Sequence, residues 1–165
     1  MPSAGREARR YDTSVDEGQK GERRTKALRH QTGVKAMRIL LADDQPQVRS
    51  ALRLLLEQEA GLTVVGEAGE IDDLVAQAEA TRPDVILMDW ELPDRRPRSG
   101  ALHPRRALVS ALRSLCPQAL LIALSGRPEA GRTAMEAGVD AFISKGDPPE
   151  ILLLTLRSAR AISGA

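Results

Sequence analysis

From Met37 onward the chain alternates short apolar runs with amphipathic stretches, and that alternation confines it to an α/β fold built on a parallel sheet. The runs are Arg38–Ala42, Thr63–Ala68, Val85–Met88, Leu120–Leu124 and Ala141–Ser144. Each is too short for a helix, and several are apolar without interruption, as strands buried on both faces are. Thr63–Ala68 shows some alternation and is expected at an edge. Helices are expected over Pro46 to about Glu59, Ile71–Ala80, Pro104 to just before Cys116-Pro117, Pro128–Ala137 and Pro148 to about Ile162. In the first, Val48, Ala51, Leu52, Leu55 and Leu56 repeat with the spacing of one buried face. Asp44 is expected to cap it, Pro46 to occupy its first turn, and Gly61 to end it. Leu74, Val75 and Ala78 should point inward from the second. The result is a doubly wound sheet of five strands with helices on both faces.

One Trp, one Tyr and one Phe in 165 residues leave Leu, Ile, Val and Ala to fill the interior. Residues 1–36 carry nine Lys/Arg against five Asp/Glu and few aliphatics, a composition that reads as a disordered extension. The folded domain is then 37–165. A basic arm can contact nucleic acid or acidic lipid, but acids interspersed with these cations favour a solvated leader, so no direct nucleic-acid partner is expected. No apolar run approaches the roughly 20 residues that span a bilayer, and no signal peptide opens the chain. Cys116 stands alone and His30 lies far from His103, which excludes a disulfide framework and a Cys/His metal site. A cytoplasmic setting fits.

The strand ends carry the chemistry. The first strand runs into Asp43-Asp44, the third into Asp89, the fourth into Ser125-Gly126 and the fifth into Lys145. In parallel strands these groups gather on one edge. Sites in open doubly wound sheets form beyond the carboxyl ends where strand order reverses. With the order 2-1-3-4-5 borrowed from flavodoxin-like sheets, that point lies between the strands ending in Asp43-Asp44 and Asp89. Clustered carboxylates raise one another's pKa, and a hard cation such as Mg²⁺ relieves this. Asp43 and Asp44 would hold it, with Asp89 sharing it as a nucleophile toward phosphorus. Lys145 would offset charge on the transferring group, and the Ser125 hydroxyl would donate to a phosphoryl oxygen.

Asp43-Asp44, Asp89, Ser125 and Lys145 together resemble the signature of the response-regulator receiver domain of bacterial two-component signalling. The resemblance covers about Met37 to Ile162. Ile39–Pro46 and Val64–Ala68 look most like receivers of regulators with a helix-turn-helix output domain. The family implies that Asp89 accepts a phosphoryl group from a sensor histidine kinase. Mg²⁺ would be held by Asp43, Asp44 and Asp89, and the Glu91 backbone carbonyl would complete its shell. It also implies that Ser125 and Lys145 close on the phosphoryl group, and that Phe142 is the aromatic that turns inward as Ser125 moves. Such a protein is a phosphoacceptor rather than an enzyme, its only catalysis being its own phosphorylation and dephosphorylation.

Several features depart from the family pattern. Pro93 is in place but the next glycine is Gly100, which lengthens the loop over Asp94–His103. Trp90 is unusually bulky, and the Glu91 side chain lies near the phosphoryl position. Arg95, Arg96 and Arg98, with Arg105 and Arg106, form either a solvated loop or a basic patch for a partner. Since the chain stops at Ala165, a stand-alone receiver is expected, binding an unidentified downstream protein through a face around Ser125–Phe142 and the last helix. Ile151, Leu152, Leu153, Leu154 and Leu156 on that helix fit either a covered face or a homodimer contact. Two other readings stay open: a receiver-like binding module that is not phosphorylated, and a transcription regulator truncated before its DNA-binding domain.

Overall fold

The computed structural model describes residues 35–95 and 103–163. The chain runs β1 (Met37–Ala42), α1 (Pro46–Glu57), β2 (Leu62–Ala68), α2 (Ile71–Thr81) and β3 (Val85–Asp89). It continues through α3 (Pro104–Leu115), β4 (Leu120–Ser125), α4 (Ala130–Ala137), β5 (Ala141–Ser144) and α5 (Pro149–Ser163). The sheet is parallel throughout, in the order β2-β1-β3-β4-β5. This is the expected architecture, with β2 at an edge. The disordered extension expected over 1–36 falls almost wholly outside the described residues, as do Arg96 and Arg98.

Alternate residues of each strand feed opposite faces. Leu40, Ile86, Met88, Leu121 and Ala123 pack under α2, α3 and α4 with Leu74, Ala78, Leu108, Leu112 and Ala134. Ile39, Leu41, Val85, Leu87, Ile122 and Leu124 pack on the other side with Leu56 of α1 and Leu152 and Leu156 of α5. Because both faces are covered, the central strands read as unbroken apolar runs rather than alternating ones.

Three local expectations need correction. Asp44 does not cap α1: the N-cap is Gln45, without a side-chain bond, and Asp44 is exposed. Asp43 takes the turn instead, its Oδ1 accepting the Gln45 N–H at 2.9 Å. Ala51 is exposed, not inward. Arg49 and Arg53 turn toward β2 and meet Glu67 at 3.4 and 2.7 Å, which rotates the inward stripe onto Leu52, Leu55 and Leu56. Helix α4 begins two residues late, because tight bonds from Ala130 N–H to Arg127 O and from Gly131 N–H to Pro128 O form a turn first. On α5, Leu152 and Leu156 are buried while Ile151 and Leu154 are exposed. None of the described helices is long and apolar enough to cross a membrane.

Candidate functional site

Pairing of Ala42 with Met88, Asp89 with Leu124 and Ser125 with Ser144 brings the ends of β1, β3, β4 and β5 level. Asp43, Asp89 and Ser125 are the only buried polar residues among those described, at 1%, 4% and 0% exposure. A fold that buries three polar side chains at a single edge must satisfy each of them. Lys145 does so for two: its Nζ donates to Asp43 Oδ2 at 2.6 Å and lies 3.2 Å from Asp89 Oδ2. Asp89 Oδ1 accepts the Glu91 N–H at 2.9 Å, and the Lys145 N–H binds the Ser125 carbonyl at 2.8 Å. Arg49 Nη1 donates to the Asp43 carbonyl at 2.5 Å, anchoring the β1–α1 turn.

One carboxylate oxygen from each of Asp43, Asp44 and Asp89 lies within 4.8 Å of the others. The all-oxygen set, with exposed Asp44 at its rim, fits a hard divalent cation that keeps part of its water shell. The Glu91 carboxylate is not in this cluster. Its Oε1 accepts the Ser125 hydroxyl at 2.8 Å and Arg127 Nη2 and Nε at 2.8 and 3.1 Å. Ser125 Oγ in turn accepts the Arg127 N–H at 3.0 Å. Sequence reasoning missed Arg127. Its signal was a symmetry of spacing, since Arg127 follows Ser125 by two residues as Glu91 follows Asp89, on adjacent strands.

Burial raises the pKa of Asp89 above the ordinary carboxylate range, and the neighbouring Glu91 carboxyl adds to the rise. The Glu91 N–H and Lys145 only partly oppose it. Burial also works against the charge on Glu91, but hydrogen bonds from Arg127 and Ser125 outweigh it and hold that carboxyl low. Lys145 is raised despite burial, because Asp43 and Asp89 stabilise its charge. A carboxyl with a raised folded-state pKa contributes stability below its unfolded value and loses it as pH rises through the folded value. At neutral pH, ionised Asp89 is therefore a liability, and Asp89→Asn should raise Tm by on the order of 3 °C. That gain should vanish as pH falls through the carboxylate range. Thermal melts at pH 7 and pH 4 check this, and an Asn variant less stable at pH 7 contradicts it.

Phe142 is half-buried against the core, and its ring occupies space beside Gly131, where a Cβ would come within 2.9 Å of Cδ1. Trp90 spends its bulk on the core and lines a cavity of about 370 Å³ between α3 and α4. The described arginines of the expected basic patch are tied to separate anchors. Arg95 pairs with Glu70 at 2.6 Å, Arg105 Nη2 donates to the Leu92 carbonyl at 2.8 Å, and Arg106 Nη2 to the Glu136 carbonyl at 3.0 Å.

A carboxylate nucleophile beside an ammonium, a hydroxyl donor and an oxygen-lined cation site is an arrangement able to accept a phosphoryl group. Residues 39–157 match the family described as response regulator receiver domain. The chain is 34% identical over 125 residues to the uncharacterized transcriptional regulatory protein YxjL of Bacillus subtilis, covering 74% of this chain and 54% of that protein. It is 32% identical over 123 residues to the nitrate/nitrite response regulator NarL of Escherichia coli K12, with the same coverages. It thus spans about half the length of these curated relatives. Among solved structures, a CheY-like response regulator receiver domain protein from Methanospirillum hungatei aligns with a TM-score of 0.63 at 26% identity, over 77% of this chain and 95% of that one. The receiver domain of a response regulator NarL from Mycobacterium tuberculosis aligns with a TM-score of 0.63 at 24% identity, over 76% and 98%, a likeness of fold.

Proposed function

This chain belongs to the response regulator receiver domain family, and on that premise we propose that Asp89 is its phosphoacceptor in two-component signalling. The observation that carries the reading is the burial of Asp43, Asp89 and Ser125 at one sheet edge, with Lys145 bridging both carboxylates. The donor is the phosphohistidine of a sensor kinase. An Asp89 carboxylate oxygen attacks phosphorus, an O–P bond forms as the N–P bond breaks, and the imidazole leaves with a proton from solvent. Lys145 would offset charge on the transferring oxygens, and the Ser125 hydroxyl would donate to one of them. Asp43, Asp44 and Asp89, with the Glu91 carbonyl, would hold Mg²⁺, which when bound neutralises developing negative charge.

Phosphorylation then biases a two-state surface around Ser125–Phe142 toward a downstream protein in the cytoplasm. The exposed Ile151 and Leu154 on α5 supply apolar area for a homodimer. The chain's span of about half its curated regulator relatives favours a second reading of the output, in which this is the receiver segment of a DNA-binding regulator. A helix-turn-helix reading frame directly downstream supports that second reading; an adjacent kinase gene without one supports the protein-binding switch.

Incubation with acetyl phosphate and Mg²⁺ tests the core claim. The wild type should gain one hydroxylamine-sensitive phosphoryl group and Asp89→Asn none. Absence of acyl-phosphate on the wild type, or equal labelling of the Asn variant, overturns the assignment.

A further inference from the structure

The hydroxyl that a phosphorylated Asp89 would need is already engaged. Ser125 has one proton to donate and gives it to Glu91 Oε1 at 2.8 Å, while its oxygen accepts the Arg127 N–H at 3.0 Å. Arg127 fastens the same Glu91 oxygen from two nitrogens, and the Glu91 backbone N–H is bonded to Asp89 Oδ1. A single residue thus links the nucleophile, through its backbone N–H, to the hydroxyl on the next strand, through its carboxylate. We propose that Glu91 and Arg127 are positioning residues that latch Ser125 in its unphosphorylated place, so that a phosphoryl group on Asp89 must displace the Glu91 carboxylate to gain the hydroxyl.

This rests on Asp89 as phosphoacceptor, and its physical basis is competition for one proton. A hydroxyl donates one hydrogen bond at a time. The acyl phosphate carries about 1.5 to 2 negative charges where the ionised carboxylate carried one, spread over oxygens that reach toward Glu91, and like charges this close repel. Ser125 is fully buried, so its hydroxyl has no water to fall back on while it changes partner. Arg127 lies largely in solvent, with 63% of its side chain exposed, and can swing outward with Glu91 as an intact ion pair. The latch therefore opposes the phosphorylated form and holds Ser125 in one rotamer before it arises.

Beryllofluoride with Mg²⁺, a stable stand-in for the phosphoryl group, is the probe. Glu91→Ala should bind it on the order of tenfold more tightly than wild type, the fold-change expected from freeing a hydrogen bond to a charged acceptor. Glu91→Gln retains an oxygen for the hydroxyl without the charge and should fall between the two. In beryllofluoride-free protein, NMR couplings should show one Ser125 χ1 rotamer in wild type and Glu91→Gln, and an averaged one in Glu91→Ala. Tighter binding with identical values for the Ala and Gln variants would mean charge alone acts, which overturns the latch. Unchanged affinity with an unchanged rotamer also overturns it while leaving Asp89 as phosphoacceptor. Failure of wild type and variants alike to bind, with cooperative thermal melts, removes the phosphoacceptor reading itself.

Discussion

Lys145→Met should lower stability by about 3 kcal/mol at neutral pH and slow acyl-phosphate formation at least about tenfold. The ammonium is the sole cation within ion-pair distance of both Asp43 and Asp89 among the described residues, at 2.6 and 3.2 Å, and both carboxylates are almost wholly buried. Removing the cation that serves two buried carboxylates leaves uncompensated charge, which costs more than the pairing contributed. The loss should be pH-dependent with a definite sign. Burial already raises Asp89, and without Lys145 it rises further, so stability is retained below the unfolded pKa and lost as pH climbs through the folded one. The deficit is thus largest near pH 7 and shrinks under mild acid, and millimolar Mg²⁺ should restore part of it by replacing the missing charge. Urea denaturation at pH 7 and pH 4.5, with and without Mg²⁺, measures this. Coincident midpoints for wild type and variant at pH 7 would show that the bridge contributes nothing.

Leu87→Ala should cost about 3 to 4 kcal/mol, lowering Tm by roughly 10 °C or more, without altering the strand-end chemistry of the protein that remains folded. Leu87 lies in the central strand, 1% exposed, between Leu41 of β1 and Ile122 of β4, and faces α1 and α5. Neighbouring strands hydrogen-bonded on both sides prevent collapse into the vacancy, so the cavity term is added to the lost transfer energy. Its side chain packs in the core, two residues before Asp89, and makes no hydrogen bond to the strand-end groups. Calorimetry reports the stability change, and acetyl phosphate labelling at 10 °C reports the site. A loss of labelling equal to that of Asp89→Asn in folded protein would contradict the separation of core from chemistry.

The alternation of apolar runs and amphipathic stretches made the fold legible because it is a local pattern: short unbroken apolar runs for the central strands, a period near 3.6 for the helices. Both-face burial of the central strands could be read from their unbroken apolarity for the same reason. Asp44 misled as a helix cap because capping depends on backbone angles at the turn, and the chain places Gln45 there instead. Ala51 misled because helical spacing says nothing of rotation about the axis, which the Arg49 and Arg53 bonds to Glu67 decide. At the site, residue types were readable at each strand end, since a polar group closing an apolar run stands out. Their partners were not, since they belong to other strands.

Asp89 with Asp43, Asp44, Ser125 and Lys145 as a chemical set, and the parallel sheet that gathers them, came from the order of residues alone. Only the tertiary structure set the Glu91 carboxylate, beside Asp89, onto Ser125 and Arg127, and divided Arg95, Arg105 and Arg106 among separate anchors. The reason is one of range. Strand and helix patterns are written within a few residues, whereas the bond from Ser125 to Glu91 joins positions 34 apart and that from Lys145 to Asp43 positions 102 apart. Such contacts exist only once β1, β3, β4 and β5 lie in register.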